Sequence, residues 1–141
     1  MKPLTVPYKV RPDDFGHFAF CAMLSVQISL PIANAPRTKR FEVVIDSGAT
    51  RCLFHADIAT FLGVDLKACA IEVTQGIGGY EDTYLHDVIL YIPGGPVTIK
   101  AGFKENLPVA GLLGMSGFFE HFKVTFDGAA QCCILERVFR A

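Results

Sequence analysis

Residues 41–54 read FEVVIDSGATRCLF, a carboxylate set between two apolar runs. Phe41, Val43, Val44 and Ile45 are apolar and mostly β-favouring, so they read as a buried strand. Asp46 follows directly, and Ser47 and Gly48 then end the strand rather than continue it. Burying a lone charged carboxylate at such a place is costly. Two roles fit the pattern. Asp46 can cap a turn by accepting from nearby backbone N–H groups, or it can be held there as a general acid or base.

Other residues with chemical potential are less well placed. His86 and Asp87 are adjacent in a strand pattern, where successive side chains face opposite ways, so they cannot chelate together. His121 falls in a stretch with amphipathic helical spacing, and His55 precedes another; all three histidines read as surface or structural residues. A Cys52–His55 hydrolase would need an activated thiolate, whereas Cys52 reads as buried strand. The glycine-rich GIGGYE has Glu81 where a phosphate-binding loop needs its last glycine, and no helix pattern follows. There is no HExxH and no zinc-finger cysteine spacing, so neither metal nor cofactor is expected.

The bulk properties bound the fold. The chain has 141 residues, 51% hydrophobic and 19% charged, with a net charge of −1. That is one globular domain large enough to bury a core. The absence of a basic run argues against nucleic acid as a partner. Five cysteines, with Cys132 and Cys133 adjacent, suit free thiols in a reducing compartment better than a disulfide framework. The N-terminal MKPLTVPYKVRPDD has no apolar signal-peptide core. The longest apolar run, 18–30, is too short and too polar to span a bilayer. The expectation is a cytoplasmic protein that does not enter a membrane.

The elements that must position Asp46 are short strands. From Met23 onward Leu24, Val26, Ile28 and Leu30 alternate with Ser25, Gln27 and Ser29, a half-buried strand. Residues 31–40 read as a loop. Residues 55–63 place Ile58, Phe61 and Leu62 at helical spacing, with Gly63 as C-cap. Two strands, 69–75 and 80–92, flank the glycine-rich turn at 76–79. A PGGP turn leads to a strand at 97–103, and VAGLLG (109–114) is a further strand. Residues 115–122 suit one or two helical turns, and 123–138 a hairpin around Asp127 and Gly128. Many short strands with frequent turns and little helix point to an all-β, closed or barrel-like fold.

Three features then occur in a fixed order: VIDSGAT after an apolar strand, QGIGGY about thirty residues later, and GLLGMSGFFEHFKVTFD near the end. In this combination the chain resembles the retropepsin-like aspartic proteases, the retroviral proteases and their bacterial relatives. VIDSGAT resembles the catalytic signature, GIGG the flap tip, and LLG with the following helix the support beneath the active-site loop. The resemblance covers about residues 20–136 and implies a single-lobe closed barrel of the acid-protease type with one or two short helices. Residues 1–17 are then an N-terminal extension or dimer-contact segment, and 18–141 the protease domain.

The resemblance assigns catalysis to Asp46, Ser47 and Gly48, and substrate binding to Ala49, Gly76, Ile77, Gly78 and Gly79. Such chemistry needs two carboxylates close enough to share one proton. This chain supplies one Asp-Ser-Gly; FDG at 126–128 lacks the strand and hydroxyl context. The resemblance therefore implies a C2 homodimer with one site on the axis, cleaving an extended, largely apolar peptide or protein segment that pairs with enzyme backbone. Two departures stand out. Met115 and Ser116 replace the Arg and Asp or Asn of the viral enzymes, and Thr50 and Arg51 stand where an acidic partner is expected. The terminal stretches 4–10 and 132–139 are apolar enough to form an intersubunit sheet or to pack on their own subunit. The alternative function is a catalytically weak or inactive peptide-binding or dimerisation module of the same fold.

Overall fold

The computed structural model describes residues 1–12, 15–76 and 79–139. Its strands are β1 (Leu4–Pro7), β2 (Lys9–Pro12), β3 (Phe18–Cys21), β4 (Met23–Ser29), β5 (Phe41–Ile45) and β6 (Leu53–His55), then β7 (Ala70–Gly76), β8 (Gly79–Tyr91), β9 (Val97–Lys104), β10 (Gly111–Leu113), β11 (Phe122–Asp127) and β12 (Cys132–Arg137). A seven-stranded sheet runs β4-β5-β10-β6-β9-β8-β7, and an extra β4–β8 pairing closes it into a ring with β7 on the flank. The expected all-β fold is therefore present as a closed ring of hydrogen-bonded strands.

The alternation in β4 explains why it can close the ring. Leu24, Val26 and Ile28 are buried while Ser25 and Gln27 are half-buried, so one face enters the core and the other meets solvent. Ser29 is buried as well, and its hydroxyl meets the Tyr91 hydroxyl at 3.1 Å across the closure. The interior is built on Phe54, Phe103, Phe118, Leu113 and Val43, all fully buried. Phe54 packs against Phe41 and Phe103 at centroid distances of 6.0 and 6.2 Å. Each such ring withdrawn from water contributes roughly 1.5–3 kcal/mol.

The one α-helix among the described residues, α1 (Ala56–Leu62), ends at the expected C-cap and begins at His55. His55 Nδ1 accepts from the Asp57 N–H at 3.0 Å, and Gly63 caps the C-terminus at φ 79°, a conformation that costs a side-chain-bearing residue energy. Phe61 departs from the expected apolar face: Ile58 and Leu62 pack on the core, but Phe61 is exposed. The helical turns expected at 115–122 shrink to one 3-10 turn, Phe119–His121. Gly117 at φ 100° keeps the preceding residues out of a helix, so His121 stands on a tight turn and not on an amphipathic helix.

Two further departures concern the ends of apolar runs. The run at 18–30 divides at Ala22, and β3 pairs with β2 in a separate ribbon whose Val10, Phe18 and Phe20 are exposed. The strand expected at 109–114 narrows to Gly111–Leu113. The terminal strands pair within the chain, in a sheet separate from the closed ring. β1 pairs antiparallel with β12 of its own chain, Leu4 against Leu135 and Pro7 against Cys132, and β11 completes a three-stranded sheet. All five cysteines are free thiols, and no described helix is long and apolar enough to cross a membrane.

Candidate active site

Asp46 lies at the mouth of a parallel strand pair. β10 runs alongside β5, Val44 opposite Leu112 and Ile45 opposite Leu113. The Asp46 N–H donates to the Leu113 carbonyl at 3.0 Å. Beyond this point the loop is laced to the segment after β10. Met115 N donates to Ala49 O at 2.9 Å, Ser116 N to Thr50 O at 3.0 Å, and Cys52 N to Ser116 O at 3.2 Å. A loop held by its backbone over this length aims its side chains with little help from side-chain packing.

Gly114 makes this lacing sterically feasible. A Cβ there would lie 2.4 Å from Arg51 O and 2.7 Å from Ala49 O, so the two backbones approach closer than any side chain permits. Leu113 is fully buried and Leu112 half-buried beneath the loop. The Leu-Leu-Gly sequence thus combines an apolar anchor with a backbone that has no side chain at the crossing.

The cost of a buried lone carboxylate does not arise, because the chain does not bury Asp46. It is half-exposed, Ser47 and Gly48 are exposed, and Ala49 is half-buried. Gly48 N donates to Asp46 Oδ1 at 2.9 Å, and a Cβ on Gly48 would stand 3.2 Å from that oxygen. The geometry is the turn cap of the ordinary reading. It also fixes one carboxylate oxygen while leaving the residue partly open to solvent, which is what a proton-transfer group needs.

The glycine-rich hairpin joins β7 to β8, with Gly76 opposite Gly79 and Gln75 opposite Tyr80. Gly79 has φ 115°, a region that L side chains avoid. Ile77 and Gly78 lie outside the described residues. Glu72, in β7, meets the Asp46 loop through Arg51: Nη2–Oε2 is 2.8 Å and Nε–Oε1 is 3.3 Å. In the sequence Arg51 stands only where an acid is expected. No periodicity connects it to Glu72, because the two meet through tertiary structure alone.

The rival candidates have other roles. Cys52 is fully buried, and burial pushes its thiol up to about 11. His55 Nδ1 caps α1, and the groups that act on the Cys52 thiol are Gly114, Glu120 and Arg51. Iodoacetamide at pH 8 is therefore expected to leave Cys52 unlabelled in the folded protein and to label it in denaturant, as mass spectrometry would show; rapid labelling of the folded chain would contradict this burial. His86 Nδ1 lies 2.7 Å from the Asp87 carbonyl oxygen. Asp127 Oδ1 accepts from Ala130 N at 2.9 Å, capping the final hairpin. Among the described residues no three His, Cys, Asp or Glu side chains are grouped to hold a metal ion.

No protein-family model matches the sequence, and no curated protein matches it. Solved structures do match. A retropepsin-like aspartic protease from Rickettsia conorii superposes with a TM-score of 0.66, covering 96% of this chain and 99% of that one at 18% identity. The fold is retropepsin-like. The EIAV protease, in complex with the inhibitor HBY-793, aligns with a TM-score of 0.49 over 65% of this chain and 79% of its own, also at 18% identity. At 18% identity the Rickettsia conorii match speaks for the fold alone, and the chemistry rests on the residues themselves.

Proposed function

We propose that this chain is an aspartic endopeptidase that hydrolyses peptide bonds in extended, largely apolar segments, with its Asp dyad assembled in a homodimer. The observation that carries this reading is Asp46: a half-exposed carboxylate on a backbone-laced loop, one oxygen held by Gly48 N at 2.9 Å. One such group per chain cannot share a proton with a like neighbour, so a two-fold axis must bring Asp46 of a second copy beside it. The ionised member then accepts a proton from water, and the protonated member donates to the scissile carbonyl oxygen.

The neighbours take consistent roles. Gly48 aims the carboxylate, Ser47 bonds across the two-fold, and Ala49 leaves room for substrate backbone. Gly76, Ile77, Gly78 and Gly79 form a flap that closes over the substrate and excludes water. Residues 1–17 are an N-terminal extension or dimer-contact segment, of which Leu4–Pro7 pairs with β12, and 18–141 carry the reaction.

The decisive experiment pairs sedimentation with cleavage of a degenerate peptide library between about pH 3 and 7, the acidic range that suits a shared-proton dyad. Specific activity should rise with protein concentration in step with the dimer fraction. Cleavage that stays constant down to concentrations where only monomer sediments would refute the shared site. A stable dimer that cleaves nothing would leave the binding-module reading standing.

A further inference from the structure

Two ion pairs tie the glycine-rich hairpin to the frame that holds Asp46. The Arg51 guanidinium grips Glu72 through Nη2 at 2.8 Å and Nε at 3.3 Å, while Nη1 reaches the Lys100 carbonyl at 3.4 Å. Lys104 Nζ lies 2.7 Å from Glu81 Oε2. Each hairpin strand therefore supplies one carboxylate. The two share a face, since Glu72 is opposite Thr83 and Thr74 is opposite Glu81, and alternate residues of a strand line one side.

Both cations come from the frame. Arg51 sits on the Asp46 loop and bridges to Ser116 through the backbone. Lys104 ends β9, which runs parallel to β6 with Lys104 opposite His55. Among the described residues β7 is an outer strand paired with β8 alone, and its Ile71 and Val73 are exposed, so the hairpin packs on the frame through β8, where Thr83 is buried opposite Glu72. The side chains of Arg51 and Glu72 are 22% and 36% exposed, enough shielding for a two-pronged contact to hold direction. A planar guanidinium specifies that direction, whereas a lysine ammonium at the same place would act as a point charge.

We propose that Arg51 and Glu72 form a positioning pair that fixes β7 of the hairpin to the Asp46 loop, with Lys104 and Glu81 as a second tie on β8. Neither residue of the pair touches the reacting atoms. Their catalytic effect rests on the endopeptidase reading above; their mechanical effect does not. Loosening the pair lets the hairpin open more often, which weakens substrate capture before it slows chemistry.

The test uses Arg51→Glu, Glu72→Arg and the double exchange R51E/E72R in the full chain. Two readouts are taken: KM and kcat for a cleaved peptide, and amide hydrogen exchange across β7 and β8. Each single reversal should raise KM by roughly 5- to 10-fold with kcat changed less than about 2-fold, the split expected when binding is lost and chemistry kept. It should also speed exchange in β7 and β8 while leaving β11 and β12 unchanged. The double exchange should return both readouts to within about 2-fold of wild type, as a coupled pair requires. Single variants that exchange like wild type, or a double variant no better than the singles, would overturn the proposal. A wild-type protein that cleaves no peptide would instead sink the endopeptidase reading, and the exchange measurements would then decide the clamp by themselves. A single variant that fails to fold is covered by Glu72→Gln, which keeps the shape and removes the charge; unchanged exchange in that variant also counts against the pair.

Discussion

Asp46→Asn should abolish peptide cleavage, lowering kcat/KM by at least about three orders of magnitude, equivalent to roughly 4 kcal/mol of transition-state stabilisation. The amide oxygen of asparagine can still accept the 2.9 Å bond from Gly48 N, so the loop should keep its shape and the variant its melting temperature. What is lost is the capacity to exchange a proton at that position. If each active site draws on two copies, as proposed above, the defect should also spread. After subunit exchange in an equimolar mixture with wild type, only about a quarter of the dimers carry two aspartates, and activity should fall toward that fraction. Half-activity would mean that one chain suffices. Cleavage that survives the substitution would mean that Asp46 is a turn cap and nothing more.

Gly114→Ala should be the most damaging glycine-to-alanine change among the glycines whose surroundings are described. The added methyl would stand 2.4 Å from Arg51 O and 2.6 Å from Arg51 C. These are backbone atoms in a hydrogen-bonded loop, so no rotamer change relieves the clash. Either β10 withdraws from β5 or the loop lifts away, and the bonds from Met115 N and Ser116 N are lost with it. A cost of about 3 kcal/mol or more is expected, a large share of the roughly 5–15 kcal/mol available to a domain. Denaturant unfolding would measure it, with Gly128→Ala as the control, since a Cβ at Gly128 meets nothing within 4 Å. Equal midpoints for the two variants would show that the loop yields where the geometry says it cannot.

The parts of this molecule that were legible in the sequence are those encoded by neighbours along the chain. Leu24, Val26 and Ile28 declare their strand by alternation, and Gly63 declares the end of α1 by being the residue that accepts φ 79°. Asp46, Ser47 and Gly48 are conspicuous because polar residues interrupt an apolar run. Tertiary structure decided the rest. Phe61 has the right spacing for the core, but α1 is short and turns that position outward. Phe18 and Phe20 belong to an apolar run yet sit on the β2–β3 ribbon, so composition alone misplaces them. The MSGFFEHF stretch has helical periodicity, and Gly117 at φ 100° reduces it to a single turn. Arg51 and Glu72 carry no local signal of each other. In Arg51 the sequence showed a missing acid, and the fold shows a different bond.

The parallel pairing of β5 with β10 has a consequence for how the protein is made. Val44 meets Leu112, and Ile45 meets Leu113, partners far apart along the chain, and contacts between distant residues form late in folding. Synthesis runs from the N-terminus, so Asp46 leaves the ribosome well before the strand that will hold it. Until β10 has emerged, the Leu113 carbonyl, the Gly114 crossing and the bonds from Met115 and Ser116 are all missing, and the carboxylate hangs on an unsupported loop. A nascent chain therefore has no aimed aspartate. The order of the strands delays the assembly of this loop until residues 111–116 have left the ribosome.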